Sequence, residues 1–182
     1  PHKILNSNVK WRSYYQPVNS DKYKNLIPFS KFGKVVRGIA TGSNEYFIFN
    51  HSKAKKFGIE DKYLLPCITK SNDVNNSFFT QDDFQTLVEQ DKDIYLLNIL
   101  PTNSNGKNVK AYLDCCVKNN VHTRHLTSCR NPWFILEKRK PSPIWVSVFN
   151  RNGIRFIRNE ANISNLTTFH CVYLDMFSIQ KI

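Results

Sequence analysis

Val109, Tyr112, Leu113, Cys116 and Val117 recur at i, i+3, i+4, i+7 and i+8, while Lys110, Asp114 and Lys118 fall between them. That spacing predicts a helix over about 106–119 with one apolar face, capped by Asn105. Two more helices are predicted. One covers His51–Phe57 and is closed by Gly58, the residue best suited to a left-handed helix end. The other runs from Thr80 to about Gln90, with Asp82 and Asp83 favoured at its N-terminus. Elsewhere the apolar residues come in short runs, which is the pattern of strands. Residues 33–39 and 45–50 read as two partner strands joined by Ala40-Thr41-Gly42-Ser43-Asn44. Residues 63–70, 94–100, 143–150, 154–158 and 167–174 extend the set. Pro66 keeps its segment out of a helix, and Pro101 ends the strand before it. The 143–150 strand is apolar on both sides and is expected to be covered on both. Asn152-Gly153 is the strongest hairpin signal, fitting a type I′ turn between Arg151 and Ile154. Short strands with isolated helices predict an α+β fold with a twisted, mainly antiparallel β body.

Composition adds a core and a partner. The chain has 182 residues, 41% hydrophobic and 13% aromatic, enough for one domain with a packed interior. No apolar run approaches the ~20 residues of a membrane span. No signal peptide opens the chain, which begins at Pro1, and it is read as a fragment of a larger protein. Five cysteines, two of them adjacent (Cys115, Cys116), do not make a secreted disulfide framework, so a reducing, cytoplasmic setting is expected.

The net charge of +12 is unevenly spread. Residues 1–40 carry eight Lys/Arg against one acid, residues 41–120 nine against ten, and residues 121–160 eight against two. Two basic segments thus flank a neutral middle. Folded onto one face, they would form a polyanion site. The bland alternative is a solvated, Lys-rich surface. The densest stretch is RNPWFILEKRKPSPIWVSVFNRNGIRFIRN, 130–159, with Lys138, Arg139 and Lys140 as a run and Asn150, Arg151 and Asn152 at the expected hairpin tip. Arg155 and Arg158 lie three apart on the return strand and point to opposite faces. Thr41, Ser43 and Asn44, beside Arg37, read as a polar tip small enough to enter a DNA groove. Near the N-terminus, Trp11, Tyr14, Tyr15 and Tyr23 lie among cations; they read as anchors of a terminal arm, or as base-stacking aromatics.

Catalytic readings fare worse. Asn131-Pro132-Trp133-Phe134 is close to the Asp/Asn-Pro-Pro-aromatic turn of amino-group DNA methyltransferases, but Trp133 replaces the second proline and no glycine-rich cofactor turn lies upstream. It is read as structural. The acids around Asp91-Lys92-Asp93 and Glu137-Lys138 lack the context of a metal-dependent nuclease. His122, His125 and Cys129 with Cys115 or Cys116 are zinc-ligand types, but no CxxC pair exists, and a basic loop is the commoner explanation.

The order of pieces carries a resemblance. VVRGIATGSNEYFIF, KYLLPCI, VKAYLDCC, the 130–159 stretch and NLTTFHCVY follow one another as in the TaqI-like C-terminal specificity domain of gamma-class N6-adenine DNA methyltransferases, including those fused into restriction–modification enzymes. The chain resembles that family from about Trp11 to Tyr173. The resemblance implies a double-β-helix-like body and a C-terminal helical hairpin that this chain lacks. It implies a prokaryotic parent whose separate methyltransferase domain binds S-adenosylmethionine, with no cofactor or metal in this fragment. It implies double-stranded DNA and that catalytic domain as partners, and no membrane. By position, Arg37 with Thr41, Ser43 and Asn44 matches the family's RGIATG loop. Arg130, Trp133 and Lys138–Lys140 match its R-x-P-W segment, and Asn165 and His170 its closing N-x-x-x-x-H pattern. The runner-up reading is a stand-alone specificity subunit acting in trans.

Overall fold

The computed structural model describes residues 24–149 and 153–175. Its helices begin where the local chemistry favours them. In α2 (His51–Phe57) the Asn50 side chain accepts from the Lys53 N–H, and Gly58 closes the helix at φ 64°. In α3 (Gln81–Glu89) Thr80 and Asp83 form a reciprocal capping box: Thr80 Oγ1 accepts from the Asp83 N–H, and Asp83 Oδ2 accepts from the Thr80 N–H. The long helix α4 (Lys107–Lys118) is capped at Gly106 and not at Asn105. It buries Val109, Tyr112 and Cys116, while Val117 is exposed at the margin of the stripe.

The strands form two sheets among the described residues. β1 (Gly33–Arg37), β9 (Phe169–Leu174), β6 (Ile144–Ser147), β7 (Phe156–Asn159) and β4 (Phe78–Phe79) lie in that order in the larger sheet. β2 (Ile48–Phe49), β5 (Tyr95–Leu97), β3 (Leu64–Ile68) and β8 (Ser164–Asn165) make the smaller one. Pairing is mostly antiparallel; β4 with β7 and β3 with β8 run parallel. The larger sheet packs Trp145, Ile157, Phe169 and Phe79 into one cluster, where Trp145 stacks on Phe169. The smaller sheet and α4 gather Phe47, Phe49, Leu96, Leu97, Val109 and Tyr112 into another.

Residues 45–50 differ from the expected strand. They form a single helical turn α1 (Asn44–Phe47) followed by β2, which pairs with β5. The true partner of β1 is β9, with Gly33 opposite Leu174 and Arg37 opposite His170. The Ser43 carbonyl accepts from the Tyr46 and Phe47 N–H groups, which rolls the chain before it can turn back along β1. Phe47 and Phe49 then bury around Tyr112.

β6 and β7 pair antiparallel, with Val146 opposite Phe156 and Trp145 opposite Ile157, and Trp145 and Ile157 are both fully buried. The turn expected at Asn152-Gly153 lies, but for Gly153, outside the described residues. Only the Trp145 face of β6 is covered; Ile144 and Val146 on the other face are half-buried.

Candidate nucleic-acid interface

The turn after β1 is built from within. Gly38 N donates to the Phe169 carbonyl at 3.2 Å and Ile39 N to the Asn165 carbonyl at 3.0 Å. These zip the start of the turn onto the chain around β8. Asn165 is 2% exposed, and its amide donates to the Leu166 and Phe169 carbonyls. Thr41 Oγ1 donates to Asn44 Oδ1 and accepts from the Ser43 N–H. Thr41 and Ser43 are buried, so they form no protruding tip. Of the three polar residues expected there, Asn44 alone is exposed.

Three side chains from the second basic segment hold this turn. Arg130 donates to the Thr41 carbonyl at 2.8 Å and to the Ala40 carbonyl at 2.7 Å. Burial, with Arg37 nearby, lowers the pKa of Arg130 from its ordinary value. Arg124 donates to Ser43 Oγ and to Glu45, and its guanidinium lies over the Tyr46 ring. Glu137 accepts from the Ala40 N–H at 3.0 Å and from Arg37 at 2.9 Å through one oxygen, and from Arg139 at 2.9 Å through the other. Partial burial pushes the Glu137 carboxyl up, but the Ala40 N–H, Arg139 and Arg37 outweigh it and hold it below the usual carboxylate range. Sequence reasoning passed over Arg124 and Glu137 as site residues. Glu137's isolation in a run of cations was the signal available for it.

Arg37 and the turn after it, at the end of the first basic segment, therefore meet the second basic segment. Lys138 and Lys140 remain exposed, on the rim of an open groove of about 530 Å³ floored by Leu65, Leu96 and Leu136. Tyr173 Oη donates to the Lys140 carbonyl and fixes the run against β9. Trp133 packs edge-on against Phe47 and Phe134. Its contacts are those of a packing aromatic.

The remaining candidates are scattered. Arg155 donates to the Val74 carbonyl, on the far side of the larger sheet's order. Its neighbour Arg158 pairs with Glu160 at 3.3 Å. His170, opposite Arg37, is half-buried, with its Nδ1 unpartnered among the described residues. Asn150, Arg151 and Asn152 lie outside the described residues, as do Trp11, Tyr14, Tyr15 and Tyr23. Among the described residues no group of three or more His, Cys, Asp or Glu could hold a metal ion, and no helix is long and apolar enough to cross a membrane.

Comparison with known proteins bears on this arrangement. The family model described as Type II methyltransferase M.Eco57I, C-terminal domain, matches residues 10–182. The Type II methyltransferase M.AccI of Acinetobacter calcoaceticus is 58% identical over 168 residues, which cover 92% of this chain. The chain spans 31% of the length of that relative.

Proposed function

Because this chain belongs to the C-terminal-domain family of the Type II methyltransferase M.Eco57I, we propose that it is the DNA-reading domain of a site-specific adenine-N6 methyltransferase in a restriction–modification system. The observation that carries this reading is the meeting of Arg37 and the turn after it with the second basic segment. Arg130 and Glu137 bind the 38–44 turn to the 130–140 stretch, and Lys138 and Lys140 stand free beside it. In this reading Lys138, Lys140, Arg37 and Arg139 face phosphates together, and Arg155, toward the other end of the larger sheet, faces a separate stretch of backbone; such contacts fix register but carry no sequence information. Asn44 and the segment Asn150-Arg151-Asn152 read base edges, arginine suiting guanine and asparagine suiting adenine. Thr41, Ser43, Arg130 and Asn165 shape the reader from inside, and Trp133 and His170 line it. The double-β-helix-like description of the body belongs to the same reading. S-adenosylmethionine and the methyl transfer belong to a separate catalytic domain of the parent, which shares the bound DNA.

Two measurements on the full-length enzyme test it. Lys140→Ala is expected to weaken binding to every DNA sequence alike and to flatten the dependence of log affinity on log salt by about one unit, the loss of one phosphate contact. An unchanged slope would place Lys140 away from the DNA. Arg151→Ala is expected to cost about 1–3 kcal/mol at the preferred site and to relax specificity at one base pair. An unaltered site preference would remove Arg151 from the reading surface.

A further inference from the structure

Glu137 is an acid in the middle of a cationic surface. It is one of two acids among residues 121–160. Elementary electrostatics makes it a liability there, because a carboxylate near a phosphate repels it. Its surroundings point the other way. Donors from three parts of the chain converge on it: Arg37 at the end of β1, the Ala40 N–H in the turn, and Arg139 in the basic run. Its side chain is 29% exposed, while those of Arg37 and Arg139 are 50% and 21% exposed. Each arginine gives one hydrogen bond to the carboxylate out of the five N–H donors of a guanidinium. The planar fork leaves the other donors aimed in a fixed direction once one is held.

We propose that Glu137 is a positioning residue for DNA recognition: it holds the guanidiniums of Arg37 and Arg139 and the 38–44 turn at one spacing, so that the cations meet the DNA backbone already arranged. Without it, two like charges separate, and both side chains must be ordered again when DNA binds. The loss of prearrangement opposes the gain from deleting a negative charge. Exposed charges are screened within about 8 Å at physiological salt, so the charge effect on binding is small and acts on all sequences alike. The positional effect falls on the specific complex, which needs one register. This inference rests on the DNA-reading assignment above.

The test uses the full-length enzyme, with Glu137→Gln and Arg139→Gln singly and together. Glutamine keeps a carbonyl acceptor for the Ala40 N–H and loses the second oxygen that Arg139 uses. Glu137→Gln is expected to weaken binding at the preferred site roughly tenfold, the scale of one base-pair mismatch, and to leave non-specific affinity equal or slightly higher. KM for site DNA rises and kcat holds. The double variant loses less site affinity than the sum of the two single losses, because both changes break the Glu137–Arg139 pair. Tighter binding of Glu137→Gln to site and non-specific DNA alike would overturn the proposal, and so would fully additive losses in the double variant. An equal fall in both affinities together with the melting temperature would reduce Glu137 to a fold-stabilising residue and overturn it too. Arg139→Gln alone keeps the question open to test should Glu137→Gln fail to fold, since positioning predicts a site-specific loss and phosphate contact alone a uniform one. The DNA-reading assignment fails separately, on wild-type enzyme and Lys140→Ala, if neither the affinity nor its salt slope depends on this domain.

Discussion

Gly38→Ala is expected to be the most destabilising single substitution in the domain. A Cβ on Gly38 would lie 2.1 Å from the Leu166 carbonyl oxygen, 2.5 Å from its carbon and 2.6 Å from Asn165 Nδ2. None of these can move aside cheaply. Leu166 is buried, and its N–H donates to Ile68. The Asn165 amide is committed to two carbonyls, and Gly38 itself is tied to Phe169. Relief requires parting the turn from the chain at and just after β8, to which Ile39 is bridged. The loss should be on the order of 4 kcal/mol or more, in the exceptional range for one substitution, against a typical domain stability of about 5–15 kcal/mol. Circular dichroism melting of the variant checks it; a melting temperature within about 3 °C of wild type would contradict the contact geometry. Gly153→Ala is the control. Gly153 has φ 99° but nothing within 4 Å, so its penalty is torsional, about 1–3 kcal/mol. Comparing the two separates backbone approach from backbone conformation.

Arg130→Met should be the most damaging change to a charged residue in the described part of the site. Methionine keeps the length and apolar stem but removes the fork that satisfies the Ala40 and Thr41 carbonyls. Hydrogen bonds from a charged donor contribute about 1.5–3 kcal/mol each. Arg130 is half-buried, and water can reach part of the vacated space, so a total of about 2–4 kcal/mol is expected. That lowers the melting temperature by roughly 10 °C in a domain of this size. Arg130→Lys should recover less than half of it, because an ammonium on a flexible stem cannot span both carbonyls. The effect on DNA should also have a distinct signature. Arg130→Met should weaken specific binding through the disordered turn while the salt slope stays near wild type. Lys140→Ala should do the reverse, flattening the slope without lowering stability. A flattened slope in Arg130→Met would make Arg130 a phosphate contact and not a support of the turn.

Much of the secondary structure was legible locally. Helix α4 follows from the spacing of Val109, Tyr112 and Cys116, and α3 from Thr80 with Asp83 three residues on. Strands β1, β3, β5, β6 and β9 fall within the apolar runs that predicted them, and β7 runs one residue past its own. Errors came where local signals competed with distant ones. EYFIFN alternates like a strand, yet the Ser43 carbonyl accepts two N–H groups and starts a helical turn there. The polar loop Thr41-Gly42-Ser43-Asn44 looked like a surface tip because composition says nothing about what packs over it. Arg124 and Arg130 do, from more than 80 residues away.

Residue order and charge alone determined the α+β class, the helices, two cation-rich segments around a neutral middle, and the resemblance to a family of specificity domains. These depend on periodicity, on composition and on the succession of short motifs, all of which are properties of a linear chain. Which cations are spent inside the protein and which remain available was decided only in three dimensions. Arg130 turns inward and donates to two carbonyls of a sharp turn, while Lys138 and Lys140 stay exposed to solvent. Hydrogen-bond partners that distant in the chain are chosen by the packing of β1 on β9, and no local pattern encodes that choice.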